Sequence, residues 1–281
     1  MILIADSGSS KTDWRVIRKD GKIEQFRTVG FNPYYQKAED MLRDLQTERI
    51  QSLKGSIEQV YFYGAGCTGE KNKQTVAGLI KSVLGKDTLV SVDHDLTASA
   101  KATCGHKPGI ACILGTGSNS GDYDGKNIVA NRPSPGYLLG DEGGGSYIGR
   151  HFLQDFIYDD MPKEIREMVL EEYQLTNLEI QENVYQKPFP NRYMAGFCRF
   201  IHDQKNHPYC FQLFYNGFTD FFKRHVMRYT NYQEKPVNFV GSIAFHNGEV
   251  VRKVGADLGI HIDIILEAPI AGLTLYHQNK I

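Results

Sequence analysis

The sequence predicts an α/β protein of two domains, and three observations lead to that prediction. A pattern of strand, Gly/Ser-rich turn, strand, Asp-Gly turn and strand occurs twice, within residues 1–29 and again within 110–130. After the first copy, apolar stretches of strand length alternate with segments of helical periodicity. The chain has 281 residues, enough for one large or two medium domains.

The first copy begins with the apolar residues 1–6, which predict a strand, followed by a polar turn at 7–10. Residues 13–18 predict the second strand and 22–29 the third. Asp-Gly at 20–21 is a strong hairpin dipeptide and predicts the turn between them. The second copy repeats this order with strands at 110–114, 120–123 and 126–130, which indicates an internal duplication.

The remaining elements follow from periodicity. Helices are predicted within 33–52 and at 70–84, 96–103, 249–258 and 271–281, and strands at 59–63, 89–92, 237–240 and 262–266. Residues 163–232 read as mainly helical, with aromatic side chains that we expect in a core. The predicted domains are 1–107 and 108–281, the second carrying the helical insertion. Its last helix could pack back on the first domain.

Charge and composition exclude several functions. Lys and Arg number 32 against 33 Asp and Glu, for a net charge of −1, so nothing predicts binding to nucleic acid or an anionic membrane. No window approaches the roughly 18 apolar residues of a spanning helix. The five cysteines are irregularly spaced, which favours neither disulfides nor a zinc site. A reducing cytoplasm is therefore the expected compartment.

The turn after the first strand combines residues that suit phosphate chemistry. The segment 6–12 superficially resembles a P-loop, but Ala5 and Ser10 stand where that motif needs glycine, and a strand follows it instead of a helix. A Gly/Ser hairpin turn can still bind phosphate through N–H and hydroxyl groups. Asp6 beside it could hold Mg²⁺ directly or through water. An ordinary surface hairpin is the alternative.

A second turn of this kind occupies 115–119, at the equivalent place in the second copy. Two phosphate-type turns in duplicated domains could face each other across a cleft and hold a nucleoside triphosphate from both sides. Chance is a poor explanation for two such turns at equivalent places in the duplicated pattern.

The segments 6–13, 115–119, 140–143 and 240–242 resemble the two phosphate motifs, the sugar-loop motif and the adenosine motif of the actin/hexokinase/Hsp70-type ATPase superfamily. The chain is most similar to the N-acetylglucosamine kinase branch of the BadF/BadG/BcrA/BcrD ATPase family. Ser242 departs from the adenosine motif, in which a second glycine is usual.

This resemblance implies two ribonuclease-H-like domains, the actin-like ATPase fold, with an interdomain cleft. It also implies ATP-dependent phosphorylation of an amino sugar, N-acetylglucosamine to its 6-phosphate, with ATP and Mg²⁺ as cofactors. Glucosamine, N-acetylmannosamine, glucose and a muropeptide-derived sugar stay open as substrates. The aromatic-rich segment 185–232 could supply the surface of a homodimer.

The resemblance also carries residue roles. The catalytic base would be Asp95, in the family's Asp-x-x-Ala-Ser context; Asp93 is the competing carboxylate, and an N-cap is the structural alternative for Asp95. Asp6 would serve Mg²⁺. Nucleotide and phosphate would contact Gly8, Ser9, Ser10, Lys11, Thr12, Gly115, Thr116, Gly117, Gly241 and Ser242. Sugar would contact Asn32, Gly66, Asp95, Ser118, Asn119, Gly136 and Asp141, although Asp141 could instead cap the following helix.

Two other functions stay open. An ATPase that activates a dehydratase or reductase through an iron–sulfur cluster would use a cysteine near Cys112, but its second cysteine is missing where this chain has His151. A non-catalytic sensor that only binds sugar or nucleotide is the third possibility. His202 and His207 are expected at the surface, outside any metal-ligand spacing.

Overall fold

The computed structural model describes residues 1–8, 11–33, 36–132 and 134–278, which belong to two compact units. Unit 1 comprises the chain up to His106 together with the segment from Pro269 onward, and unit 2 comprises Lys107–Ala268. Each unit contains one five-stranded mixed sheet. In the described part of the chain, no helix has the length and apolar composition needed to cross a membrane.

The sheet of unit 1 contains β1 (Ile2–Ser7), β2 (Lys11–Ile17), β3 (Ile23–Val29), β4 (Gln59–Gly64) and β5 (Leu89–His94). Their order across the sheet is β3-β2-β1-β4-β5. The first three strands pair antiparallel, as short hairpins require, whereas β4 pairs parallel with both β1 and β5. The carboxyl ends of β1, β4 and β5 therefore lie at the same edge.

Unit 1 contains α1 (Ala38–Leu45) and α2 (Glu48–Gln51) between β3 and β4, α3 (Glu70–Leu84) between β4 and β5, and α4 (Asp95–Cys104) after β5. Successive side chains of a strand point to opposite faces, so Leu3 and Ile4 enter different cores. Leu3 packs in the core that Trp14 and Met41 share, and Ile4 packs with Ala98 of α4. Both faces of the sheet are thus covered, as parallel strands require.

One sequence prediction needs correction in this unit. The single helix expected within 33–52 is two helices, α1 and α2, because Thr47 begins a new helix after Leu45. The Thr47 hydroxyl accepts a hydrogen bond from Ile50 N–H, which is the usual N-cap arrangement. The helical spacing of apolar residues continues across the break between α1 and α2, so hydrophobic periodicity alone did not reveal the N-cap at Thr47.

Unit 2 contains a sheet of the same topology, which confirms the internal duplication. Its strands are β6 (Gly109–Leu114), β7 (Ser118–Tyr123), β8 (Ile128–Arg132), β9 (Val237–Val240) and β10 (Ile262–Leu266). Their order is β10-β9-β6-β7-β8, so β6 takes the place that β1 has in unit 1. Three residues separate the first two strands of each sheet, 8–10 in unit 1 and 115–117 in unit 2.

The helices of unit 2 are α5 (Gly145–Tyr158), α6 (Lys163–Tyr173), α7 (Asn177–Tyr185), α8 (Pro190–Gly196), α9 (Cys198–Asp203), α10 (Pro208–Arg224), α11 (Ser242–His246) and α12 (Gly248–Asp257), with 3-10 turns at Val226–Arg228 and Tyr232–Glu234. Those from α5 to α10 fill the insertion between β8 and β9. Many of their aromatic side chains, including Phe152, Phe214 and Phe221, are buried in one core as expected from the sequence, whereas Tyr158 and Tyr185 are exposed.

The last helix, α13 (Ile270–Gln278), belongs to unit 1 and packs on α4. The two helices approach closely because position 272 is glycine. A Cβ there would lie 2.4 Å from the carbonyl oxygen of Ala102. Leu273 is fully buried and joins the core that contains Ile4.

A glycine contact between α5 and α8 provides a test of the packing in unit 2. A Cβ at Gly149 would lie 1.9 Å from the Met194 carbonyl oxygen. Main-chain atoms of a helix cannot move aside as the end of a flexible side chain can. We expect Gly149→Ala to lower the free energy of unfolding by about 2 kcal/mol or more. The matched control is Gly78→Ala in α3, where a Cβ meets no atom within 4 Å. It should raise stability by about 0.5–1 kcal/mol.

Denaturant titrations followed by circular dichroism would measure both variants. A Gly149→Ala protein as stable as the wild type would contradict the α5–α8 packing.

Candidate functional site

The carboxyl edge of the unit 1 sheet gathers the acidic residues selected from the sequence. Asp6 is the penultimate residue of β1, and Asp95 directly follows β5 as the first residue of α4. Between these strands, β4 ends at Gly64, just before Gly66. The carboxyl ends of parallel strands are where open α/β sheets bind ligands, so this edge is the candidate site of unit 1.

Asp6 is a half-buried carboxylate among other acidic groups. Asp13 stands opposite it in the β1–β2 register, and Asp95 adds negative charge. Burial, followed by the charges of Asp95 and Asp13, raises the pKa of Asp6 from 3.8 to about 7, while Lys11 acts in the opposite direction. A carboxylate that is unfavourable as a bare anion is stabilised when a cation binds it.

Asp95 presents a carboxylate that solvent can still reach, with 42 % of its side chain exposed. The protein around it nevertheless raises its pKa by desolvation, which outweighs the charge of His94 and the nearby N–H groups. His94 Nδ1 lies 4.0 Å from Oδ1 of Asp95. The N-cap alternative for Asp95 is wrong, because His94 is the N-cap and Asp95 already has helical geometry.

Asp93, the competing carboxylate, is already engaged in an ion pair. Its Oδ1 lies 3.0 Å from Lys73 Nζ and accepts a hydrogen bond from the His94 N–H at 2.9 Å. Burial acts to raise the pKa of Asp93, but these two hydrogen bonds and the Lys73 charge lower it overall. A carboxylate held in this way is a weak proton acceptor, so the geometry favours Asp95 as the base.

Ser7, which sequence analysis did not select, anchors the turn after β1. Its hydroxyl lies 2.8 Å from the Thr12 hydroxyl and accepts a hydrogen bond from Phe31 N–H at 3.0 Å. Thr12 is fully buried and donates to the Val29 carbonyl. The hydroxyl of Thr12 is thus occupied inside unit 1, where it supports the turn, and its contact with phosphate stays a prediction.

Gly8 and Lys11, at the two ends of this turn, lie at the surface. Gly8 N–H donates to the Lys11 carbonyl at 3.0 Å, and Lys11 Nζ lies 3.6 Å from an oxygen of Asp13. Ser9 and Ser10 fall outside the described residues. Asn32 is buried next to Phe31, so the Ser7 anchor also positions this predicted sugar residue.

The segment after β4 adds Gly66 to the same edge. Gly66 has a φ of +76°, which favours glycine, and its carbonyl accepts a hydrogen bond from Asn72 Nδ2 at 2.9 Å. The neighbouring Cys67 is fully buried. Burial and then the charge of Asp95 raise the pKa of its thiol to about 12, so Cys67 is a small core residue and not a nucleophile.

In unit 2, the turn 115–117 rests on the first turn of α5. The N–H groups of Gly145 and Ser146 donate to the carbonyls of Gly115 and Thr116, both at 2.8 Å. The turn therefore directs carbonyls toward the helix. Within the described ranges, the N–H groups of Thr116 and Gly117 have no acceptor, and Thr116 is exposed. Free N–H groups at a Gly-rich turn are suited to bind phosphate.

Asp141 fixes this turn from the side. Its Oδ1 accepts hydrogen bonds from Ser118 N–H at 3.2 Å and from the Ser134 hydroxyl. A Cβ at Gly117 would lie 2.8 Å from the Asp141 carboxylate, so only glycine fits there. The alternative that Asp141 caps the next helix is wrong, because Gly144 is the N-cap of α5.

The remaining predicted sugar residues surround the same turn. Asn119 Oδ1 accepts hydrogen bonds from Ser120 N–H and from Asn131 Nδ2. Gly136 has a φ of +83° and begins the loop that leads to Asp141. The hydroxyls of Ser118 and Ser146 are buried, and no group in the described residues pairs with them. Two unpaired hydroxyls at one turn indicate a place for a polar ligand or water.

The late Gly241-Ser242 pair lies against the turn 115–117. Gly241 has a φ of +124°, and a Cβ there would lie 2.2 Å from the Leu114 carbonyl oxygen. Ser242 begins α11 and lines a cavity of about 430 Å³. The cavity walls come from α8, α9 and α11, including Ala195, Cys198, His202 and Ile243.

This cavity adjoins the phosphate-type turn through one residue. Gly145 donates to the Gly115 carbonyl, and its own carbonyl accepts from Cys198 Sγ at 3.3 Å. A Cβ at Gly145 would contact Ala195 and Ile243, both of the cavity wall. Sequence analysis did not find this cavity, and His202, which it expected at the surface, is half-buried and lines it.

Glu142 and His225 form a buried pair that sequence analysis also missed. Their Oε2 and Nε2 atoms lie 3.2 Å apart, and Arg224 Nε lies 3.5 Å from Oε1 of Glu142. The pair ties the loop of Asp141 to the end of α10. No local signal could have revealed it, because the partners are 83 positions apart.

The donor set around Asp6 fits Mg²⁺. Within the described residues, no group of three or more His, Cys, Asp or Glu side chains could hold a metal ion by itself. Mg²⁺ usually needs only one or two protein carboxylates, with waters and phosphate oxygens as its other ligands. The raised pKa of Asp6 reveals the uncompensated negative charge that such a cation would neutralise.

The raised pKa of Asp6 predicts that this residue destabilises the ligand-free protein at alkaline pH. The folded protein holds the Asp6 proton more tightly than the unfolded chain, so the stability that protonation contributes is lost as pH rises toward 7 and above. Asp6→Asn removes this titration. We expect the melting temperature of the variant, relative to wild type, to increase between pH 5 and pH 8.

Thermal scans in a metal-free buffer would measure this difference. Asp20→Asn in the exposed β2–β3 hairpin is the control and should show no such trend. A constant difference between Asp6→Asn and wild type would refute the raised pKa.

Comparison with known proteins supports the fold and places the chain in a family. No protein-family model matches the sequence, and no curated protein sequence matches it. Among solved structures, a candidate N-acetylglucosamine kinase from Porphyromonas gingivalis is 43% identical, with a TM-score of 0.94 and coverage of 99% of both chains.

Two more distant structures share the fold. A candidate N-acetylglucosamine kinase from Chromobacterium violaceum is 18% identical, with a TM-score of 0.71 and coverage of 98% of both chains. MreB 5 of Spiroplasma citri, solved with AMPPNP, is 10% identical, with a TM-score of 0.56, 99% of this chain and 96% of that chain being covered. The actin-like ATPase fold is thus confirmed, and the chain belongs to the sugar-kinase family of the Porphyromonas gingivalis protein.

Proposed function

We propose that this protein transfers the γ-phosphoryl group of ATP to the 6-hydroxyl of N-acetylglucosamine. The observation that carries the proposal is Asp95, an accessible carboxylate with a raised pKa at the carboxyl edge of the unit 1 sheet. The choice of sugar rests on the description of the Porphyromonas gingivalis relative, which is 43% identical over nearly the whole chain.

Asp95 has the properties of a general base for a sugar hydroxyl. Phosphoryl transfer depends mainly on positioning and charge neutralisation, but the attacking hydroxyl still loses a proton. A carboxylate with a raised pKa accepts that proton more readily than an ordinary aspartate. Asp93 cannot compete, because Lys73 and the His94 N–H occupy its Oδ1.

Unit 1 would also hold the metal. Asp6 would bind Mg²⁺ directly or through water, with Asp13 nearby and Lys11 at the exposed end of the turn. When bound, Mg²⁺ neutralises charge on the phosphate oxygens. Gly8, Ser9, Ser10 and Thr12 complete the proposed phosphate turn of unit 1.

Unit 2 would supply most of the nucleotide contacts. The free N–H groups of Thr116 and Gly117 would bind phosphate oxygens, and Gly115 gives the turn its close approach to α5. The nucleoside would occupy the cavity that begins at Gly241 and Ser242, since this cavity adjoins the turn.

The proposed sugar contacts come from both units. Asn32 and Gly66 belong to unit 1, and Ser118, Asn119, Gly136 and Asp141 belong to unit 2. Ser118 offers the strongest support, because its hydroxyl is buried without a partner in the described residues. The Asp141 carboxylate already binds the turn, so it acts first as a positioning group.

The alternative functions lack support from the residues they need. Cys112 is fully buried within β6, and His151 stands in α5 where an iron–sulfur activator would need its second cysteine. A pure sensor would not need Asp95 free to accept a proton. We infer membership of the BadF/BadG/BcrA/BcrD family from the motifs. We infer a cytoplasmic location from the five cysteines, none of which forms a disulfide. Homodimer formation stays a prediction.

A coupled assay of ADP release would test the proposed function. We expect ADP release with N-acetylglucosamine to depend on Mg²⁺ and to exceed that with N-acetylmannosamine, glucosamine or glucose. Phosphorus NMR of the product should show a 6-phosphate. ADP release that does not respond to any sugar would refute the kinase proposal, and a brown, oxygen-sensitive protein would favour the iron–sulfur activator.

Replacement of the proposed base is the sharper test. Asp95→Asn keeps the shape but removes the proton acceptor, so the rate of phosphoryl transfer should fall by at least about 10²-fold. Nucleotide affinity should survive, because Asp95 is not among the proposed nucleotide contacts. In the wild type, kcat/KM should fall on acidification at a pH above that of an ordinary aspartate, since the pKa of Asp95 is raised.

Asp93→Asn is the matched control two residues away and should reduce the rate much less. Equal activity of Asp95→Asn and wild type would overturn the assignment of the base. Thermal scans must accompany the assay, because either substitution changes the start of α4.

A further inference from the structure

We infer that His202 reads the base of the nucleotide and selects a 6-amino purine over a 6-oxo purine. The inference rests on the proposed function, since it assigns the nucleoside to the cavity beside Ser242. It goes further by naming the side chain that distinguishes one phosphate donor from another.

The position of His202 is fixed by one well-defined hydrogen bond. His202 lies at the end of α9, and its Nδ1 lies 2.9 Å from Oδ1 of Asn247. Asn247 is buried, and its Nδ2 donates to the Ile243 carbonyl at 2.9 Å. The amide orientation of Asn247 is therefore determined, because a flipped amide would place an oxygen against that carbonyl.

This arrangement also fixes the tautomer of the imidazole. Asn247 Oδ1 can only accept, so Nδ1 of His202 must carry a proton. In the neutral ring the other nitrogen, Nε2, is then an acceptor. Among the described residues, Nε2 has no hydrogen-bond partner, and it is not a buried atom. His202 lines the cavity, so it offers a bare acceptor to a ligand there.

A bare acceptor discriminates between purines by simple chemistry. The 6-amino group of adenine is a donor and would complete the hydrogen bond with Nε2. The 6-oxygen of hypoxanthine is an acceptor, so it would face a lone pair and leave both groups unpaired. A site that is built to bind a hydrogen-bond donor strongly rejects a ligand that lacks the donor, because the polar groups of the site stay unsatisfied.

The location and the volume of the cavity suit the binding of a nucleoside. Its volume of about 430 Å³ falls within the range of small-molecule sites. Gly145 joins it to the turn 115–117, because its N–H donates to the Gly115 carbonyl and a Cβ there would meet Ala195 and Ile243 of the cavity wall. A second histidine of the cavity, His246, packs edge-on against the His202 ring at a centroid distance of 6.0 Å and therefore belongs to the same site. His261 is exposed, does not line the cavity and provides a control.

The test compares the dissociation constants of ATP and inosine triphosphate for the full-length protein, measured by calorimetry. Wild type should bind ATP about tenfold more tightly, the scale of one satisfied polar contact. His202→Phe keeps an aromatic ring without the acceptor, so the two constants should become nearly equal. His261→Gln, outside the cavity, should keep the wild-type ratio. Because each ratio comes from one protein sample, a loss of folded fraction cancels.

Asn247→Asp tests the tautomer argument itself. A carboxylate beside Nδ1 favours the protonated imidazolium, which turns Nε2 into a donor. The preference should then shift toward inosine triphosphate, which offers an acceptor at that position. A shift in this direction requires His202 to face the base. If His202 had only a structural role, the binding of both nucleotides would weaken alike.

Three results would overturn the inference: an unchanged ratio in His202→Phe, an equal loss of the ratio in His261→Gln, or no binding of either nucleotide to wild type. The ratio is independent of sugar phosphorylation. A protein that keeps the predicted nucleotide ratios but phosphorylates no sugar would therefore refute the proposed function and support the role of His202.

Discussion

Parallel pairing of β1 with β4, and of β4 with β5, is the constraint on which the candidate site depends. It brings the carboxyl ends of three strands that are distant in sequence to one sheet edge. Asp6 and Asp95 become close enough for one carboxylate to raise the pKa of the other only because of this pairing. If only one of these two pairings were antiparallel, β1 and β5 would run in opposite directions and the two carboxylates would lie at opposite ends of the sheet.

In unit 2, the same sheet topology is combined with close approach between main-chain segments. Gly117, Gly144 and Gly241 each stand where a Cβ would lie within 3 Å of another group. Without side chains at these positions, the turn 115–117, the start of α5 and the end of β9 meet as bare main chain. Main-chain N–H groups can then reach a phosphate group, and the cavity that Ser242 lines adjoins the same main chain through Gly145.

The arrangement is favourable for ligands and unfavourable for the empty protein. Burial makes the ionised form of Asp6 unfavourable, and the buried hydroxyls of Ser118 and Ser146 have no partner in the described residues. Such features usually reduce stability and persist at sites where a ligand offsets them. The supporting contacts, Ser7 with Phe31 and Glu142 with His225, are by contrast fully formed without ligand.

The sequence by itself determined the elements, the duplicated strand pattern and the segments that carry chemistry, because periodicity and turn residues act over a few neighbouring positions. Predictions from such local signals hold for the strand 59–63 and the helix 70–84, and they lead to Asp6, Asp95 and the turn 115–119. Only the tertiary structure decided which groups are free. Asp93 is engaged by Lys73, Thr12 is occupied by Ser7 and Val29, and His202 is oriented by Asn247. Apart from the turn contact of Ser7 with Thr12, these partners lie 17 to 45 residues apart, so no local pattern records them.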